Sequence, residues 1–127
     1  MIKIQCITFD CEKPSIPAKF WSEALGWPIT ISNDEEVVVE NPTGESDLLF
    51  LKNPDKRVVK NRVHLDIRPD NQELEVARLE KLGARRIEIG QSADPRTSWV
   101  VMEDPEGNLF CVLRSSTEGM NPYELST

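Results

Sequence analysis

The apolar positions run in two rhythms, one with a period near two and one near 3.6, and the same order of rhythms occurs twice. Residues 2–9 are rich in β-formers, with Ile4, Cys6 and Thr8 on one face and Gln5, Ile7 and Phe9 on the other, which predicts a strand. Pro14 to Pro17 open a helix, since proline is tolerated in a first turn. Phe20, Trp21, Ala24 and Leu25 then fall on one helical face, and Gly26 supplies a stop. Three short strands are predicted near 29–32, 36–40 and 47–51, separated by the turn residues Asn33-Asp34 and Asn41-Pro42-Thr43-Gly44.

After a polar, basic connector at about 53–61 the pattern restarts. A strand is predicted over 62–67, followed by a helix entered at Pro69-Asp70-Asn71, with Asp70 or Asn71 as N-cap, that stops at Leu82-Gly83. Strands follow over 84–89, 98–103 and 108–114. The last two are joined by Asp104-Pro105-Glu106-Gly107, a turn with proline and glycine where their backbone preferences belong. The spacing from Cys6 to Gly26 matches that from His64 to Gly83 to within a single residue. Such an internal repeat outweighs any single propensity. Each half therefore reads β-α-β-β-β. The expectation is one α+β domain over 1–127, with module one at about 1–52, module two at about 62–114 and a polar tail at 115–127.

Composition narrows the function classes. The chain has 127 residues and a formal net charge of −7, from 15 basic and 22 acidic side chains. An acidic surface repels phosphate backbones and anionic lipid, so neither nucleic acid nor membrane is an expected partner. No stretch approaches the roughly 20 apolar residues of a membrane span, and Met1 to Cys6 does not read as a secretion signal. The cysteines Cys6, Cys11 and Cys111 are odd in number, which fits reduced thiols and a cytoplasmic location.

Alternation also isolates candidate chemistry. In the strand over 62–67, Val63, Leu65 and Ile67 point one way and Arg62, His64 and Asp66 the other. His64 is the single histidine of the chain. A carboxylate two residues away orients its ring for general acid–base work; the bland alternative is a solvated polar face or a structural hydrogen bond. Of the tryptophans, Trp21 reads as core, Trp27 as a helix cap or cavity edge, and Trp99 as a wall on which a ligand stacks. Arg62 and Arg114 sit at strand ends, either holding an anionic group or solvated.

The segments "FDCEKPSIPAKFWSEALGW", "RVHLDIRPD" and "EDPEGNLFCVL" resemble the repeated signatures of the glyoxalase/bleomycin-resistance/dioxygenase (vicinal oxygen chelate) superfamily, in its glyoxalase-like branch, from Ile2 to about Leu113. The resemblance implies two βαβββ modules forming a cupped eight-stranded mixed sheet with helices outside. It also implies four metal-ligand positions, which fall here on Cys6, near Phe50, on His64 and on Cys111. Only His64 is a usual ligand of the family, so no cofactor is expected, and the usual metal-ligand set is not preserved. A zinc site of Cys6, His64 and Cys111 is the alternative, set against both cysteines being small buried hydrophobes.

The resemblance leaves two functions open. One is a metal-independent lyase or isomerase, with His64 and Asp66 catalytic. The other is a non-catalytic sequestering or resistance-type protein for a small organic compound. In either case the residues expected to contact the ligand are Cys6, Phe50, His64, Trp99 and Cys111. A homodimer is the expected assembly. A third, weaker reading is a domain whose role is assembly alone.

Overall fold

Both repeats fold as β-α-β-β-β in the structure, a computed structural model that describes residues 1, 3–53, 63–95 and 97–115. The chain divides into two compact units, Met1–Val58 and Val59–Thr127. The first holds β1 (Cys6–Cys11), α1 (Ser15–Leu25), β2 (Ile29–Ser32), β3 (Glu36–Val39) and β4 (Asp47–Lys52). The second holds β5 (Leu65–Ile67), α2 (Gln72–Leu82), β6 (Arg85–Arg86), β7 (Val100–Glu103) and β8 (Leu109–Val112). The eight strands pair as two four-stranded mixed sheets, ordered β1-β4-β3-β2 and β5-β8-β7-β6. In each, the first strand runs parallel to the last and the remaining pairs are antiparallel.

In the first unit the register decides which side chains pack. Phe9 lies opposite Phe50, and Phe50 opposite Val37, so these share a face. The Phe9 and Phe50 rings stack at 5.1 Å, and Phe9 stacks at 6.3 Å on Trp21 of α1, which meets Phe20 edge-on. Ala18, Phe20, Trp21, Val37, Val39, Leu48 and Phe50 are all buried. The other face carries Cys6, Thr8 and Asp10 opposite Asp47, Leu49 and Leu51. Trp21 is thus core, as its helical position predicts. Trp27 serves the helix end: its N–H donates to Ser22 O, and Ser22 Oγ donates to Trp27 O.

In the second unit Asn71 is the N-cap of α2, its Oδ1 accepting from Leu74 N at 3.0 Å, which settles the choice left between Asp70 and Asn71. Val76 and Leu79 are the buried stripe of the helix. Gly83 ends it at φ 117°, and a Cβ there would also meet the Pro105 ring at 3.3 Å. The turn between β7 and β8 is held from inside. Asp104 is buried, and its Oδ1 accepts from Glu106 N and Asn108 N, both at 2.9 Å.

Several predicted bounds shift, for identifiable reasons. The first strand begins at Cys6 because its partner β4 begins at Asp47. The strand expected over 62–67 begins at Leu65. Val63, expected to pack beside Leu65 and Ile67, is instead 80% exposed. The strand expected over 84–89 shrinks to Arg85–Arg86, and residues Gln91–Ala93 form a 3-10 turn. Local side chains capture the backbone there: Glu88 Oε2 accepts from Gly90 N, Gln91 Oε1 accepts from Ile89 N, and Gln91 Nε2 donates to Ile87 O. Arg62, the connector beyond Asn53, and the tail from residue 116 lie outside the described residues. Among the described residues, no helix is long and apolar enough to cross a membrane.

Candidate functional site

The second unit gathers the candidate chemistry on one sheet face. β8 pairs with both β5 and β7, placing Asp66 beside Cys111 and Cys111 beside Val101. Leu65, Ile67, Phe110 and Val112 alternate onto the opposite face. His64, immediately before β5, turns its imidazole to Asp66: Nε2 lies 3.2 Å from Oδ1, and each side chain is 30% exposed. Cys111 is only 6% exposed. The donor atoms of His64, Asp66 and Cys111 all lie within 4.8 Å of one another. Alternation alone put His64 and Asp66 on one face; the pairing of β5 with β8 adds the thiol.

The floor of this face is apolar. Val101, Leu109 and Cys111 form a buried cluster, with Ile87 and Trp99 packed against it. Trp99 also lines a cleft of about 360 Å³ with Arg86, Glu88, Gln91, Thr97 and Val101. Gln72, in the first turn of α2, donates to Ser98 O at 2.8 Å and Val112 O at 3.0 Å, bracing the backbone beside Trp99. No sequence signal marks Gln72 for that role. Val101, Leu109 and Ile87 were readable as apolar strand positions, but their common face depends on the pairing register.

Charges around the cleft are organised. Arg86 extends to α2, reaching Glu73 at 3.2 Å and Glu80 at 3.7 Å. Arg85, itself exposed, pairs with the buried carboxylate of Glu103. The Ser92 hydroxyl, and then the Gly90 N–H, hold the Glu88 carboxyl below the usual carboxylate range.

The remaining predicted positions divide. Trp99 stands on the apolar floor that contains Cys111. Cys6 lies half-buried in the first unit, opposite Asp47. Phe50 requires a correction. It was expected to contact a ligand, but its ring is 0% exposed and belongs to the core beneath α1. Its neighbours on the other face of β4 are Leu49 and Leu51, so this stretch offers no metal donor. The four-ligand pattern implied by the family resemblance does not fit these positions. Arg114 is exposed, and its carbonyl accepts from Arg68 Nη1.

Two β-α-β-β-β units of identical strand order, one bearing a polar pair on an apolar sheet face, define a small α+β protein of the vicinal oxygen chelate type. The family model of the glyoxalase-like domain matches residues 6–113, and the chain belongs to that family. No curated protein matches. Among solved structures, the chain resembles a glyoxalase/bleomycin resistance protein/dioxygenase family enzyme from Burkholderia phytofirmans PsJN, with TM-score 0.67 and 17% identity over 87% of this chain and 97% of that one. An antibiotic binding protein from Streptomyces sp. CB03234 matches with TM-score 0.63 and 17% identity, covering 91% of this chain and 98% of that one. The bleomycin-binding protein of Streptomyces verticillus, solved with copper(II)-bleomycin, matches with TM-score 0.58 and 15% identity over 91% and 100%. At these identities the likeness is one of fold.

Proposed function

We propose that this protein binds a small organic molecule on the apolar face of its second module, with His64 and Asp66 as the polar contacts and Trp99 as a wall. The observation that carries this reading is the half-exposed His64–Asp66 pair, 3.2 Å apart, beside an apolar cluster that includes Trp99. Small-molecule sites combine an apolar lining with a few placed polar groups that fix orientation. A neighbour that binds bleomycin and one that binds an antibiotic support the reading, because their fold carries organic ligands. A second copy of the chain is the expected assembly partner.

The pair also favours a second reading, a metal-independent isomerase or lyase. His64 accepts a proton from a carbon acidified by a neighbouring carbonyl. Asp66 holds the ring in place, the proton on the imidazole exchanges with water, and His64 then delivers a proton to a different atom in an isomerisation. Sequestration needs only the hydrogen bonds; catalysis needs the proton to move.

A screen of uncharged and cationic organic compounds by native mass spectrometry tests the binding role. His64→Ala and Asp66→Asn are each expected to weaken a retained compound about tenfold, the scale of one hydrogen bond to a charged or polarised group. Unchanged affinity in both variants would contradict the assignment. Deuterium incorporation from heavy water into the bound compound, lost in His64→Ala, would select the enzymatic reading. Binding without exchange would select sequestration.

A further inference from the structure

We propose that the open sheet face of the first module docks a basic amphipathic helix of a partner protein. In the register of β1, β4 and β3, Asp10, Leu51 and Glu36 lie side by side, and Leu49 pairs with Val38, which pairs with Ile31 of β2. Alternation turns Asp47, Leu49 and Leu51 away from the Phe9–Phe50 core. Ile31 is 48% exposed, and Val38, Leu49 and Leu51 are half-buried, so an apolar strip across three strands stays open to water. Acids rim it. Asp10 is exposed, Glu36 and Asp47 are half-buried, and neither Asp10 nor Glu36 makes an ion pair among the described residues. Asp47 gives one oxygen to the Asn41 N–H at 2.8 Å and keeps the other for a partner. The strands β1 to β4 contain a single basic residue, Lys52, and it alternates onto the Phe50 face.

The placement of the charges chooses the occupant. Asp47 and the Asp10–Glu36 end are four strand positions apart, roughly 13 Å at the strand rise. Asp10 and Glu36 are two strand spacings apart, about 10 Å. One small cation cannot meet carboxylates so widely set, whereas a chain that carries several can. A helix with Lys or Arg seven or eight residues apart spans about 11–12 Å, and its apolar residues at i+3 and i+4 then lie over Leu49 and Val38. An apolar helix face on an apolar surface, with opposite charges at the rim, is a recurrent mode of peptide recognition. Two copies of this face docked together would set carboxylate against carboxylate, so it does not suit self-association. Nucleic acid and anionic lipid are repelled for the same reason.

This surface is separate from the His64–Asp66 face and does not rest on the binding role proposed above. The test titrates the full chain into a fluorescent synthetic peptide that repeats Lys at i and i+7 with Leu at i+3 and i+4 on an alanine background, read by anisotropy. Saturable one-to-one binding is expected, weakened by added salt and absent for a twin with Glu in place of Lys. Asp10→Asn combined with Glu36→Gln should weaken it about fivefold, since exposed charge pairs are individually weak. Leu49→Lys, which sets a cation in the apolar centre, should weaken it by at least about tenfold. Glu75→Gln combined with Glu80→Gln on α2 changes the net charge equally and should leave affinity unchanged. The proposal is overturned if no saturable binding occurs, or if the α2 pair weakens it as much as the Asp10 and Glu36 pair, which would mean general charge attraction. Binding of a long-chain diamine without binding of the peptide overturns it in favour of a small organic cation. A dimer lost in Leu49→Lys on analytical ultracentrifugation overturns it in favour of a self-interface. Should Leu49→Lys not fold, the Asp10 and Glu36 pair, which lies outside the core, decides alone.

Discussion

Phe50 and His64 show what one residue's parity in a strand decides. His64 and Asp66 are two apart, so they share a face in any strand that contains them, and their sequence alone announces the pair. The transfer to Phe50 failed because a shift of one residue along a strand exchanges the faces. The register of β4 with β1, set by Phe9 opposite Phe50, puts the ring in the core. Phe50→Ala should therefore cost about 3–5 kcal/mol of stability, the usual range for a buried ring, measured by urea unfolding. A cost below about 1 kcal/mol, coupled to lost ligand affinity, would return Phe50 to the site.

Among elements, the helix ends and the bounds of β2 were legible, and the starts of β1 and β5 and the end of β6 were not. Gly26, Gly83 and Asn71 terminate or cap helices through their own backbone and side-chain chemistry, which travels with the residue. A strand extends only as far as its partner and as far as its N–H groups stay available. The strand expected over 84–89 fails the second condition, since Glu88 and Gln91 capture the local backbone. This loop has a definite pH dependence. Hydrogen bonds from Ser92 and Gly90 depress the folded-state pKa of Glu88. Their stabilising effect is fully present above the ordinary glutamate value of about 4.3 and is lost as pH falls through the lower folded value. The Gly90 amide proton shift should titrate below the ordinary glutamate range in wild type and stay flat over that window in Glu88→Gln. A flat wild-type profile would contradict the capture.

At the scale of the whole molecule, the repeat carried the fold: matched strand-to-helix spacing predicted two βαβββ modules, and each unit has that order. The two copies have diverged in their chemistry. The first spends its aromatic residues on the core beneath α1. The second brings a histidine, a carboxylate and a thiol onto one face beside Trp99. Alternation revealed His64 and Asp66 as a pair, with Cys111 and Trp99 as further candidates on other strands. Bringing all of them onto one face needed the β5–β8–β7 pairing, and no local pattern encodes which strands pair across the intervening helix and turns.

The proposed binding of a small organic molecule on this second-module face is open to direct observation. The most direct measurement is a two-dimensional NMR titration of the protein with the compound retained most strongly in the screen. Saturable shifts are expected in the Trp99 indole N–H and in the amides of Asp66, Val101 and Cys111, all reduced in His64→Ala. Shifts confined to the first module, or unchanged in His64→Ala, would contradict it.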